Sequence, residues 1–167
     1  MKHNRQLCLL TLLVGWAVTA TGESALRTTL SLDGTWQIAE GSLANIPAAF
    51  DRSVPVPGLV DMATPPFIEP GPKVANRSAI PQKDPRRDAF WYRRTFTVDG
   101  TIPSVAMLKV GKAMFGTRVI LNGQLIGDHA PCFTPGFFDA KAALKAGKNE
   151  LLIRVGADRD AVTAAVP

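Results

Sequence analysis

Between Ala89 and Val155 the chain runs through short stretches of alternating apolar and β-branched residues, most of them closed by turn residues. That rhythm constrains the fold more than anything else in the sequence. Its strongest punctuation is Asn122-Gly123, between "TRVIL" and "QLIGDH". A two-residue type I′ hairpin needs positive φ at both central positions, and asparagine and glycine tolerate it best. Around this hairpin, "FWYRRTFTV" ends at Asp99-Gly100, "SVAMLKVG" is short and apolar, and "FFDA" is a short strand. "AKAALK" has room for one turn of helix, and "ELLIRV" follows a Gly-Lys-Asn turn. Upstream, Leu30 and Leu32 alternate before Asp33-Gly34, "TWQIA" resumes as a strand, and "RSVPVPG" reads as an edge strand broken by Pro55 and Pro57. Beyond the first two dozen residues no stretch sustains a 3.6-residue period, so the expected class is all-β with strands at sandwich spacing.

Side-chain period 2 divides each strand into faces. Phe90, Tyr92, Phe96 and Val98 share one face of "FWYRRTFTV", while Trp91, Arg93, Thr95 and Thr97 share the other. Arg93 is therefore expected on the outer face, in solvent. Arg94 falls on the apolar face, where an unpaired guanidinium is costly. Three readings remain: it reaches out at the sheet edge, pairs with an inward carboxylate, or holds a ligand. In the hairpin, Thr117, Val119 and Leu121 alternate with Arg118 and Ile120; in the last strand, Leu151, Ile153 and Val155 alternate with Glu150, Leu152 and Arg154. One dry face per strand is what a two-sheet sandwich requires.

The N-terminus follows other rules. "MKHNRQ" carries Lys2 and Arg5, and the uncharged, largely apolar run Leu7 to Ala20 is followed by polar "TGES". At about 14 residues the run is short of the roughly 20 that span a bilayer. A Sec-type signal peptide over residues 1–24 is expected, cleaved between Ala20 and Ala25, which implies export to periplasm or extracellular space and no membrane association afterwards. A retained anchor would want a basic stop-transfer flank, and none follows. Residues 25–167 then form one domain with room for a core. Cys132 is left as the only cysteine, so no internal disulfide is possible, and it is expected as a small buried hydrophobe. The formal charge of +5 falls to about +3 without Lys2 and Arg5. The one basic cluster, Lys83 to Arg87, lies among prolines without aromatic interleaving, so nucleic acid is not an expected partner. From Leu59 to Asp88 the chain is rich in proline with no apolar period; a loop of about 30 residues in a compact domain is usually functional or at an interface.

The segments "LSLDGTWQI", "VPVPG", "FWYRRTFTV", "TRVILNGQLIGDH", "PGFFDA" and "LKAGKNELLIRV" occur in an order and spacing that resembles the N-terminal sugar-binding domain of glycoside hydrolase family 2, the β-galactosidase, β-glucuronidase and β-mannosidase family. The resemblance runs from about Leu30 to Val155 and implies a galactose-binding-like jelly-roll β-sandwich. Such a fold normally returns one or more strands after "NELLIRV", so the domain is expected to be partial at its C-terminal strands. The resemblance also implies retaining hydrolysis of terminal β-glycosides by two glutamates about 5 Å apart on a TIM barrel that follows two sandwich domains. Those downstream sandwich and barrel domains are the implied partners, and carbohydrate the ligand of the complete enzyme.

Nothing in this chain supplies the chemistry itself. Glu23, Glu40, Glu69 and Glu150 offer no believable pair, Asp158 and Asp160 read as solvated charges on the terminal tail, and His129 stands alone once His3 leaves with the signal. No catalytic residue, metal site or cofactor is expected. In β-galactosidases of the family an asparagine before Pro-Pro-Phe contacts the substrate, and here Thr64 stands at that place before Pro65-Pro66-Phe67. Thr64, Phe67 and Trp91, the last two as exposed aromatics, are the candidate sugar contacts. Trp36, Arg94, Asn122, Gly123 and Asp139 are read as structural: Trp36 plugs the sandwich end, Asn122 and Gly123 make the turn, and Asp139 caps "AKAALK". Asp128 is placed to cap backbone amides in the bend after the hairpin. The expected function is that of an N-terminal domain of a secreted, β-galactosidase-like glycosidase. The alternative is a free-standing secreted carbohydrate-binding or structural module.

Overall fold

The structure, a computed structural model, describes residues 27–67, 89–114 and 116–156. The signal segment with His3 and Cys8, the stretch containing Glu69 and the 83–87 basic cluster, and the tail with Asp158 and Asp160 lie outside the described residues.

From Ser31 onward the described chain forms one compact unit of eight strands. These are β1 (Gly34–Gly41), β2 (Arg52–Val56), β3 (Ala89–Val98), β4 (Met107–Val110), β5 (Thr117–Leu121), β6 (Gln124–His129), β7 (Gly136–Asp139) and β8 (Gly147–Val155). A 3-10 turn spans Val60–Met62. Six strands make one antiparallel sheet in the order β2-β1-β3-β8-β5-β6, and β4 and β7 make a second. The described chain is thus all-β, in the manner of a galactose-binding-like sandwich. Leu30 and Leu32 belong to no strand, because β1 begins only at Gly34, whose φ of +126° turns the chain into the sheet. Gly147 to Asn149, read as a turn from sequence, already belong to β8.

The period-2 faces place the core. Trp36 and Ile38 from β1, Val54 from β2, Val119 and Leu121 from β5, and Leu151 and Ile153 from β8 point inward and meet Phe138 of β7. Phe90, Tyr92 and Phe96 of β3 and Leu108 and Val110 of β4 pack against this cluster. Trp36 is 4% exposed and donates Nε1–H to Leu32 O at 2.8 Å, closing the entry to the first strand. Phe138 needs bare backbone beside it: a Cβ on Gly127 would lie 2.9 Å from its ring, and one on Gly136 3.0 Å. At Gly127 the pairing of β5 with β6 slips, from Val119↔Gly127 to Ile120↔Leu125, leaving Ile126 as a bulge.

Tyr92 gives a clean report on this core, because it is the only tyrosine in the chain. Burial pushes its phenol up to about 12. A proton held more tightly in the fold than in the unfolded chain stabilises the fold below pH ~10, and that stability is lost as pH rises through ~12. Absorbance at 295 nm is expected to titrate near pH 12, with a fall of about 2 kcal/mol in unfolding free energy between pH 10 and 12. Ionisation near pH 10 would show that the ring is not buried.

The outer face of the large sheet is not simply solvated. Residues 42–50 drape over it and build a second cluster of Ala39, Phe50, Trp91 and Leu152, with Ile120 against it. Trp91 is 1% exposed and donates Nε1–H to Ser42 O at 3.0 Å. The expectation of an exposed Trp91 is therefore corrected: it does lie on the outer face, but an irregular segment covers that face. Gly41 permits the crossing, since a Cβ there would meet Pro47 Cγ and Trp91 Cδ1 at 3.0 Å each. Arg93 is likewise engaged, with its guanidinium 4.3 Å above the Phe50 ring and Nε–H donated to Gln37 Oε1 at 2.9 Å. Cys132, expected in the core, is exposed on the irregular segment between β6 and β7.

Candidate functional site

Thr64 and Phe67 both lie at the β2 edge of the sheet. Thr64 forms an antiparallel bridge with Ser53, exchanging N–H···O bonds of 2.8 and 2.9 Å, so the segment pairs with the outer side of β2. Its side chain is exposed. Phe67 is half-buried, not a free platform: its ring meets Phe90 edge-on at 5.1 Å, and the Arg52 guanidinium lies 4.7 Å above it. Arg52 also donates Nη1–H to Asp51 Oδ1 at 2.7 Å, while its Nε is buried without a partner. The Thr64 side chain shares the face of its partner Ser53, while Arg52 and Phe67 lie on the other, core-side face, so the edge presents a threonine hydroxyl on one side and a guanidinium over an aromatic ring on the other. Such groups can hold a polar ligand; they do no proton transfer. Trp91 lies on the opposite face of the sheet from Phe90, so the three candidate contacts do not form one site.

The described glutamates are also apart. Glu40 is in register with Phe90, and Glu150 with Thr95 five residues along β3. At about 3.4 Å per residue that is roughly 17 Å, and the two belong to opposite faces, whereas glycosidase carboxylates stand ~5–9.5 Å apart. No group of three or more His, Cys, Asp or Glu that could hold a metal exists among the described residues. His129 Nε2 is 3.0 Å from Thr134 Oγ1, within its own loop.

Arg94 finds a backbone acceptor. It donates Nη1–H to Thr35 O, and its guanidinium lies over Gly34, where a Cβ would be 3.6 Å from Nη2. Ser53 bonds Thr64 with both backbone groups, so Ser53 and Pro55 face away from β1 and Thr35 O faces the β3 side, where β1–β3 pairing starts only at Gln37 and leaves it to Arg94. Arg94 Nε is buried without a partner. Losing a charged hydrogen bond and removing a buried orphan donor oppose each other, so Arg94→Leu is expected to shift stability by no more than about 1 kcal/mol. A loss above about 3 kcal/mol in urea denaturation would indicate a buried ion pair instead.

The far end of the sheet holds the most connected polar group. Asn122 and Gly123 take φ of +53° and +81° and close the hairpin. Asn122 donates Nδ2–H to Ala143 O at 2.8 Å and to Asn149 Oδ1 at 2.7 Å, and accepts Glu150 N–H at 3.0 Å. Asn149, 1% exposed, accepts Lys145 N–H at 2.9 Å and donates to Lys145 O and Gly147 O at 2.8 and 2.9 Å. Asp139 accepts Lys141 N–H at 2.9 Å and caps the turn over which this network closes. A shallow depression here is lined by Thr95, Asn122, Lys145, Lys148, Asn149 and Glu150. Both amides on its floor are committed to the protein, which makes it architecture.

Sequence reading missed Asn149 and also a charged pair, Arg118 and Asp128. Arg118 donates Nε–H and Nη2–H to the two Asp128 oxygens at 2.8 and 3.0 Å, so Asp128 holds a guanidinium and not backbone amides. The pairing holds the Asp128 carboxyl below the usual carboxylate range.

Similar architecture exists in solved proteins. A β-glucuronidase from Ruminococcus gnavus in complex with uronic deoxynojirimycin superposes with a TM-score of 0.54 at 22% identity, over 76% of this chain and 21% of that one. The same enzyme in complex with D-glucuronic acid gives 0.53 at 23%, over the same shares. At that identity the likeness is one of fold, and this chain spans about one fifth of their length. No curated protein matches. Residues 73–165, which include β3 to β8, match the family described as glycosyl hydrolase 2 galactose-binding domain-like. With more than half of its length in that match, and an antiparallel sandwich of the same kind, the chain belongs to the galactose-binding domain-like family of glycosyl hydrolase 2.

Proposed function

We propose that this chain is the non-catalytic N-terminal sandwich of an exported glycosidase that hydrolyses terminal β-glycosides. The observation that carries the reading is the family match over residues 73–165. Hydrolysis then belongs to a partner domain, because the two described glutamates are separated along and across the sheet. Two substrate classes have separate support: the fold's likeness to β-glucuronidases favours a β-glucuronide, and the Thr64-Pro65-Pro66-Phe67 segment favours a β-galactoside. In this reading the Thr64 edge, with Arg52 and Phe67, lies toward the sugar site of the complete enzyme. Export rests on the basic and apolar segments before Ala20.

The test is the native reading frame beyond codon 167. Continuation into a second sandwich and a barrel with two glutamates is the expected result. A stop codon there, together with failure of the secreted chain to bind any glycosidase polypeptide, sinks the proposal. N-terminal sequencing of the exported protein is expected to start between residues 21 and 25.

A further inference from the structure

One row of side chains crosses four strands on the outer face of the large sheet: Trp91, Arg154, Arg118 and Asp128, each in register with the next. Arg118 spends Nε and Nη2 on Asp128, and Arg154 gives Nη1–H to Leu43 O at 2.6 Å. The Nε of Arg154 is buried without a partner. The row therefore sets two arginines in register on neighbouring strands, with a single carboxylate on the far side of Arg118, which takes both of its oxygens. Like charges opposed across an antiparallel pair repel. Arg154 registers this, for its basicity is lowered by burial first and by Arg118 second, with Asp128 working the other way. Nη1 of Arg118 and Nη2 of Arg154 make no hydrogen bond among the described residues.

We propose that Arg118 and Arg154 form a carboxylate-binding site on the outer face of the sandwich, with Asp128 setting its charge. Two guanidiniums and one carboxylate leave the row with one net positive charge, which a monoanion neutralises. A dianionic phosphate would overshoot and meet Asp128 in repulsion. The planar guanidinium fork matches a carboxylate in shape, and its hydrogen bonds are of the strong, charge-assisted kind. The segment at Ser42 and Leu43, held by Trp91 and Arg154, walls one side and limits solvent screening there. The carboxylate can come from a free sugar acid or from an acidic side chain of another polypeptide segment.

The arginine Nε–H resonances of the full chain read the site directly. Acetate, exchanged for chloride at constant ionic strength, is expected to shift the Arg118 and Arg154 signals to saturation. Arg118→Gln cancels the net charge and should weaken acetate at least tenfold, while Asp128→Asn raises the charge and should tighten it severalfold. Both positions are more than a third exposed and neither carries the Arg154–Leu43 bond, so the fold is expected to hold. Gluconate binding more tightly than N-acetylglutamate α-amide assigns the ligand to a sugar acid; the reverse order assigns it to an acidic side chain. Identical, unsaturating shifts in acetate and chloride, or variants that leave the affinity unchanged, overturn the proposal. The measurement uses this chain alone and is independent of any glycosidase activity.

Discussion

Trp91→Ala is expected to lower the unfolding free energy by about 3–5 kcal/mol, the usual cost of removing a large aromatic from a closed core. The indole is 1% exposed and is the largest fully buried side chain among the described residues. It holds Ala39, Phe50 and Leu152 together and anchors the 42–50 segment through Ser42 O. Removing it leaves a cavity under an irregular segment that has no sheet hydrogen bonds of its own to keep it in place. Urea unfolding followed by far-ultraviolet circular dichroism measures the loss without depending on tryptophan emission. The result also decides a functional question. A sugar-stacking tryptophan would lose carbohydrate binding on substitution and leave stability nearly unchanged, whereas the buried Trp91 predicts the opposite. Trp36 is 4% exposed, so the described tryptophans are both sealed and their emission should resist acrylamide quenching.

What the sequence could and could not show follows from the range of the forces involved. The inward faces of β3, β5 and β8 were legible because period 2 is a local property: Val119, Leu121, Leu151 and Ile153 all lie where alternation puts them. The turn at Asn122-Gly123 was legible for the same reason, since positive φ is a demand on single residues. Trp91 was assigned to the correct face but the wrong environment, because the cover comes from residues 42–50, an aperiodic stretch whose path no local rule sets. The Arg118–Asp128 pair was hidden by one residue. An ideal ladder from the 122–123 turn sets Arg118 against Gly127, and only the bulge at Ile126 moves Asp128 opposite it and onto its face. Arg94 had three open readings, and the acceptor it takes depends on where a neighbouring ladder stops, since β1 pairs with β3 only from Gln37 onward and leaves Thr35 O without a strand partner. The Thr64 edge was legible only as a segment; its bridge to Ser53 is a long-range pairing that proline-rich sequence does not announce.

Asn149→Ala is expected to cost about 3 kcal/mol or more, although it removes only a small polar side chain. The reason is the number of groups it satisfies. Its Oδ1 receives Asn122 Nδ2–H and Lys145 N–H, and its Nδ2 supplies Lys145 O and Gly147 O, so both turns at this end of the sheet close on one buried amide. Each partner left unsatisfied out of water costs on the order of 1 kcal/mol or more, and a polar network loses more than its pairs suggest. Asn149→Asp separates this from a volume effect: it keeps the shape and the bonds accepted by Oδ1, but turns an oxygen toward the carbonyls of Lys145 and Gly147. It is expected to destabilise about as much as alanine. Hydrogen exchange localises the effect, with the Lys145 and Glu150 amide protons, bonded to Asn149 and Asn122, losing protection before those of β1 and β3. If Asn149→Asp were as stable as the parent while alanine was not, packing and not hydrogen bonding would be what the residue contributes.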